Sequence, residues 1–184
     1  VDGWDDYEIT GKASGKNARY NKIPVESAYA QFKYIPKELT LSDVRLTILY
    51  TGYDMLAKTK VTPSPAKGVF TARSIINDET KSTIRINGLS GRGYPELLLR
   101  MFAGEKIGDE LAKFVFYQPP SITANGIVDL VDKDMSHTNM RVNFSGDRVD
   151  YSFMGKPLNL AGVSGEVHLS KTKLHINGLK GRIW

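Results

Sequence analysis

The sequence lacks cysteine altogether and contains only three histidines among its 184 residues. Without cysteine, a small secreted scaffold held together by disulfides is excluded, and so is thiolate catalysis. No apolar run approaches about 18 residues, so the sequence predicts no membrane-spanning helix. The surplus of positive charge is small, at 25 basic against 20 acidic residues spread along the chain, and it predicts no nucleic-acid partner.

The length is that of one domain with an ordinary hydrophobic core. We therefore predict that residues 1–184 form a single β-rich domain. The chain begins at Val1 and stops at Ile183 and Trp184 within a predicted strand. This pattern indicates a segment excerpted from a larger protein, with any signal or anchor outside it.

What the sequence does contain is a repeated strand motif. The segments Ile84–Arg92 and Leu174–Arg182 both follow the pattern apolar-x-apolar-Asn-Gly-Leu-x-Gly-Arg. The alternating apolar residues predict a strand, and the glycines that follow predict a turn. Two copies in one chain of this length indicate internal repetition.

A longer repeat lies at an offset of 135 residues. When residues 7–48 are placed over residues 142–183, small and apolar positions coincide without gaps; Phe32, for example, falls on Val167, and Leu41 falls on Ile176. Residues 68–92 form a middle copy. Since packing constrains the period of the side chains more than their identity, this pattern predicts a duplicated β-unit.

Alternation with a period of two dominates the chain and predicts repeated hairpins, most plainly over Val25–Ile48 with a turn at Ile35–Glu38. The period changes only at about 95–116, where a proline followed by dense apolar residues predicts a short helical insertion that reaches Phe114 and Val115. We therefore predict a mainly β fold with about a dozen strands. Its sheet is curled and antiparallel-rich, and either forms a groove or closes as a sandwich.

Few residues could carry chemistry. His168 and His175 are predicted to face each other on the polar side of a hairpin, but two ligands do not complete a zinc site. The acidic stretch from Asp129 to Asp134 lacks the glycine and the closing glutamate of a calcium loop, which favours a solvated turn. The glycines after Asn87 fit neither a dinucleotide fingerprint nor a P-loop. We predict no catalytic residue, no metal and no cofactor, and therefore no enzyme.

Alternation gives the predicted sheet one apolar face, which another layer or a ligand must cover. The two short helices predicted within the insertion at about 95–116 are too small to cover it. In the first hypothesis, the face lines a groove for phospholipid or another acyl-chain ligand, partly covered by the helical insertion. The groove candidates are Phe32, Leu39, Leu41, Ile84, Ile86, Val167, Leu169, Leu174 and Ile176 on strands, and Leu97, Leu98, Met101 and Phe102 on the insertion. In the second, the sheet closes into a β-sandwich that acts as a structural or interaction module and binds protein or polysaccharide.

The order of these elements resembles the AsmA-like family. Three stretches carry the resemblance: the aromatic-x-x-Pro-Pro segment Phe116–Ile122 followed by Gly126, the segment Gly155–Leu169, and the segment Leu174–Gly181. The resemblance covers most of the chain and rests mainly on glycines between alternating strands. It implies a curled β-sheet with an apolar groove, as in TamB and the bridge-like lipid-transfer proteins to which the family is similar.

The resemblance also implies a role and a location. AsmA-like proteins are anchored in the inner membrane and lie largely in the periplasm, where their groove is thought to carry phospholipid between the membranes of the cell envelope. Membership would imply a role in phospholipid transport or outer-membrane homeostasis, and neighbouring repeats of the full-length chain as partners. The family offers no catalytic motif.

Overall fold

The computed structural model describes residues 7–20, 23–49, 67–96, 114–130, 137–153, 156–171 and 173–183. Within these ranges the chain forms ten β-strands, which confirms the prediction of a mainly β fold. The strands are β1 (Ile9–Tyr20), β2 (Ile23–Ile35), β3 (Glu38–Leu49), β4 (Lys67–Asp78), β5 (Thr83–Arg92), β6 (Phe114–Phe116), β7 (Ser121–Asp129), β8 (Asn139–Phe153), β9 (Lys156–Ser170) and β10 (Lys173–Ile183).

All ten strands belong to one antiparallel sheet. Its order is β1-β2-β3-β4-β5-β7-β8-β9-β10, and β6 also pairs with β8. The strands β1 and β10 do not pair with each other, so the sheet is not closed. The described ranges contain no second sheet. Of the two predicted alternatives, these residues therefore form a single open sheet and not a sandwich.

The hairpin predicted over Val25–Ile48 is confirmed as β2 and β3. Ile35 pairs with Glu38 across the turn formed by Pro36 and Lys37, and Phe32 pairs with Leu41 on the apolar face. The hairpin of β9 and β10 closes in the same way, with Ser170 paired to Lys173, 135 residues after the first pair. The duplication remains a prediction, and the shared hairpin register agrees with it.

The predicted turn after each Asn-Gly motif is wrong, because the chain continues as a strand through both motifs. Gly88 and Gly178 adopt positive φ angles of 62° and 58°. Beside each glycine the pairing with the neighbouring strand shifts by one residue, as in a β-bulge. Asp43, which lies 135 residues before Gly178, has a φ of 50° and also lies at a register shift. The repeated glycine therefore bends the sheet without ending a strand.

Most of the predicted helical insertion, 95–116, lies outside the described residues, because the structure does not describe 97–113. Pro95 and Glu96 at its start are helical. Its end is not, because Phe114–Phe116 is strand β6, and the predicted helix through Phe114 and Val115 is wrong there. An aromatic and β-branched run favours a strand, and the long strand β8 supplies the partner. The described part of the chain contains no helix that is long and apolar enough to cross a membrane.

Strands β6 and β7 lie in line along the same side of β8. Phe116 pairs with Val149, and Ser121 pairs with Ser145. The two prolines between them cannot donate hydrogen bonds to the ladder, which explains the interruption. Pro119 and Pro120 therefore divide one line of strand into two.

The hydrophobic core lies along the central strands. Phe114 stacks on Tyr151 with 4.4 Å between the ring centroids, and Phe116 meets Phe144 edge-on at 5.8 Å. These rings bury one end of β6 and β8 on the apolar face. The core therefore occupies the face that the alternation predicted to be apolar.

Candidate functional site

Cross-strand partners in a sheet point to the same face, so the register of this sheet shows which side chains are neighbours. One row of partners crosses nine strand positions. It consists of Gly11, Phe32, Leu41, Ile75, Ile86, Gly126, Met140, Leu169 and Leu174. We call it the central ladder. Every member except the two glycines is hydrophobic, so the apolar face continues from one edge of the sheet to the other.

Two further rows flank the central ladder on the same face. One contains Tyr34, Leu39, Asn77, Ile84 and Val128. The other contains Leu89, Ala124, Val142, Val167 and Ile176. The structure thus brings all nine strand residues of the predicted groove into three adjacent rows. The other four candidates, Leu97, Leu98, Met101 and Phe102, lie outside the described residues.

Burial along the apolar face falls from the centre towards the edges. Ile86, Met140 and Leu169 of the central ladder are 1%, 2% and 3% exposed, whereas Phe32 and Leu41 are half-buried. At the two edges, Ile9 is 51% exposed and Ile183 is 76% exposed. The part of the apolar face that a ligand can reach from solvent therefore lies on β1–β3 and on β10.

Glycines opposite aromatic residues shape this face, and sequence reasoning missed them. A Cβ atom added to Gly11 would come within 2.8 Å of the ring of Phe32 on the adjacent strand. A Cβ added to Gly91 would come within 2.6 Å of the ring of Phe70. Each ring therefore lies over a glycine of the neighbouring strand. The signal was present in the hairpin register, which sets Gly91 opposite Phe70, but it requires the pairing to be known.

A buried carboxylate, that of Asp129, lies at the end of β7. The side chain of Asp129 is 1% exposed, and its Oδ2 accepts a 2.6 Å hydrogen bond from the backbone N–H of His137. The backbone N–H of Asp129 donates to Oγ1 of Thr138 at 2.9 Å. These hydrogen bonds join the end of β7 to His137 and Thr138, and the predicted solvated turn is wrong at Asp129. Asp134 lies outside the described residues.

Burial raises the pKa of a tyrosine beside the core. Tyr94 packs against the hydrophobic cluster just after β5. Removal from water raises the pKa of its hydroxyl from 10.0 to about 12, because the charged phenolate is poorly solvated there. The phenol of Tyr94 therefore stays neutral to a higher pH than that of an exposed tyrosine.

The two histidines face each other as predicted. His168 and His175 are cross-strand partners on the polar face, and their ring centroids are 6.4 Å apart. The ring Nε2 of His168 is 2.9 Å from Oδ1 of Asn139. No group of three or more possible metal ligands occurs in the described ranges.

Replacement of His175 with alanine is therefore expected to leave the protein unchanged. The residue is exposed on an edge strand, and such substitutions usually change the free energy of unfolding by less than about 0.5 kcal/mol. Thermal unfolding of both proteins, with and without added zinc, checks this prediction. A stabilisation by zinc that His175→Ala abolishes would contradict it and would assign the pair to a metal.

The polar face carries a depression of about 530 Å³ that crosses the first four strands. It is lined by Ser14–Lys16, Ser27–Tyr29, Arg45–Thr47 and Val69–Thr71. The guanidinium carbon of Arg45 lies 5.7 Å from the ring centroid of Tyr29, its cross-strand partner.

Comparison of the chain with protein-family models, with curated proteins and with solved structures found no significant match.

Proposed function

We propose that the chain is a segment of an AsmA-like envelope protein whose apolar β-face binds phospholipid or other acyl chains without catalysing a reaction. The observation that carries the proposal is the central ladder, which crosses nine strand positions of an open sheet with no charged residue. The accessible ends of this ladder, on β1–β3 and on β10, offer acyl chains apolar surface on which to leave water.

The ladder as a whole is longer than the site of one acyl chain, and its accessible parts lie at its two ends. Neighbouring strands lie about 4.8 Å apart, so the eight steps from β1 to β10 span roughly 38 Å. The hydrocarbon core of a bilayer is about 30 Å thick, which leaves roughly 15 Å for the acyl chains of one leaflet. The ladder is therefore longer than one acyl chain laid across the strands.

The energetics suit reversible binding of lipid. Each methylene removed from water contributes about 0.8 kcal/mol, so even part of an acyl chain on the exposed end of the face binds favourably. The half-buried side chains of Phe32, Leu41 and Ile176 provide the accessible contact area. Under this proposal the full-length protein lies in the periplasm, is anchored in the inner membrane, and supports phospholipid transport or outer-membrane homeostasis together with its neighbouring repeats.

The proposal is tested by a pair of adjacent substitutions on opposite faces of β3. Leu41→Glu places a charge on the central ladder at a half-buried position, whereas Thr40→Glu places the same charge on the polar face. We expect the unmodified chain and Thr40→Glu to retain phospholipid after detergent-free purification, and Leu41→Glu to lose on the order of tenfold in lipid occupancy. Lipid extraction followed by mass spectrometry measures the occupancy.

Circular dichroism establishes that both variants are folded. If Leu41→Glu does not fold, Ile176→Glu and its polar-face neighbour His175→Glu repeat the comparison on β10. A lipid-free unmodified protein, or equal lipid retention by the variants on the two faces, would contradict the proposal.

A further inference from the structure

The two outermost strands of the sheet are exposed along most of their length. Within the described residues, strands β1 and β10 each pair on one side only, so no described strand pairs with the backbone N–H and C=O groups on the outer edge of either. In β1 every residue except Gly11 is exposed, and in β10 every residue whose side chain the structure describes is exposed except Ile176. Each edge is therefore able to pair with one more strand.

Both edges carry positive charge and no negative charge. The basic residues are Lys12, Lys16 and Arg19 on β1, and Lys173, Lys180 and Arg182 on β10, and neither strand contains aspartate or glutamate. Without these six, the chain has 19 basic and 20 acidic residues. The net positive charge of the protein is thus concentrated on its two edges. Within the described ranges none of the six forms an ion pair.

The register places these charges on the polar face. Lys12 pairs with Gln31, Lys16 pairs with Ser27, and Lys180 pairs with Ser164. The apolar residues of the same strands, such as Ile9 and Leu179, belong to the opposite alternation and are exposed at the edge. An added strand therefore meets an apolar side and a basic side.

Pairing of β1 from one copy with β10 from another would bring like charges together. Opposed like charges destabilise a strand pair, and lysines on an edge are a known protection against self-association. A strand that alternates apolar with acidic residues meets both requirements of the edge. We propose that each edge of this sheet binds such an acidic, alternating strand, which extends the sheet by backbone hydrogen bonding. This interaction does not depend on whether the apolar face holds lipid.

Charge reversal on one edge tests the proposal directly. The variant Lys12→Glu, Lys16→Glu, Arg19→Glu has an acidic β1 and a basic β10, so its copies should associate head to tail. We expect its association constant to exceed that of the unmodified chain by on the order of tenfold or more. Sedimentation velocity over a range of protein and salt concentrations measures the association, which should weaken as salt rises.

The matched control reverses both edges. Adding Lys173→Glu, Lys180→Glu and Arg182→Glu makes both edges acidic, so this variant should return to the weak association of the unmodified chain, yet should associate with the unmodified chain when the two are mixed. A singly reversed variant that is folded and stays monomeric would overturn the proposal. Equal association of the singly and doubly reversed variants would also overturn it, because charge would then not select the partner.

A peptide probe keeps the test decisive if the variants do not fold. A synthetic peptide of alternating valine and glutamate is expected to slow amide hydrogen exchange in β1 and β10 of the unmodified chain. A peptide of the same composition with its valines and glutamates in two blocks should give no such protection. Equal protection by the two peptides would indicate general attraction to negative charge, as for an anionic membrane surface, and would contradict strand addition.

Discussion

Replacement of Gly126 with alanine is expected to destabilise the protein by about 3 kcal/mol or more, because steric overlap and backbone strain act together. An added Cβ would lie 2.2 Å from the carbonyl oxygen of Asn139 and 2.5 Å from Cα of Met140. Both are backbone atoms of β8, so relief requires the two strands to separate. Gly126 also has a φ of 149°, which alanine adopts at a cost. Chemical denaturation followed by circular dichroism measures the change.

Gly15 supplies the control for this substitution. A Cβ added there would meet no atom within 4 Å, and its φ is not in the positive region. Gly15→Ala should therefore leave the free energy of unfolding unchanged or raise it by roughly 0.5 kcal/mol through the unfolded state. If the two alanine variants were equally stable, the close approach of β7 and β8 at Gly126 would be wrong.

A charge at Ile86 is expected to have the largest effect on folding. Its side chain is 1% exposed in the middle of the central ladder, between Ile75 on one side and Gly126 on the other. Ile86→Glu would bury a carboxylate among hydrocarbon, with an expected cost of about 4 kcal/mol or more. We expect this variant to be unfolded or to unfold at far lower denaturant concentration.

The neighbouring residue provides the comparison. Arg85 lies on the opposite face of β5 and is exposed, so Arg85→Glu should change the free energy of unfolding by less than about 0.5 kcal/mol. Denaturation curves of the two glutamate variants, measured side by side, test which face is buried. Equal stability of the two variants would contradict the assignment of the apolar face.

The sequence was sufficient to predict the strands and the apolar face, because both follow from alternation with a period of two. Phe32 and Leu41 were assigned to one face from spacing alone, and the register makes them partners. The pairing of His168 with His175 followed from the same logic, since the turn between them is short. Local spacing was enough in these cases because each involves a single hairpin.

Features that depend on distant strands were not predictable in this way. The Asn-Gly motif has the local signal of a turn, but at Gly88 the strand continues because neighbours on both sides hold it. The sequence around Phe114 has a helical pattern, but the residue lies in a strand because it pairs with Tyr151 of β8, 37 residues away. The position of the Phe70 ring over Gly91 likewise can be predicted only when the pairing of β4 with β5 is known. Tertiary pairing overrides local preference at Gly88 and at Phe114.

We propose that acyl chains bind along the apolar face of this open sheet. The most direct test uses a phospholipid with a photoreactive group in its acyl chain, cross-linked to the unmodified protein and mapped by peptide mass spectrometry. We predict adducts on apolar-face residues near the accessible ends of the ladder rows, foremost Phe32, Leu41 and Ile176. Adducts confined to polar-face residues such as Arg45, or no adducts in a folded protein, would contradict the account.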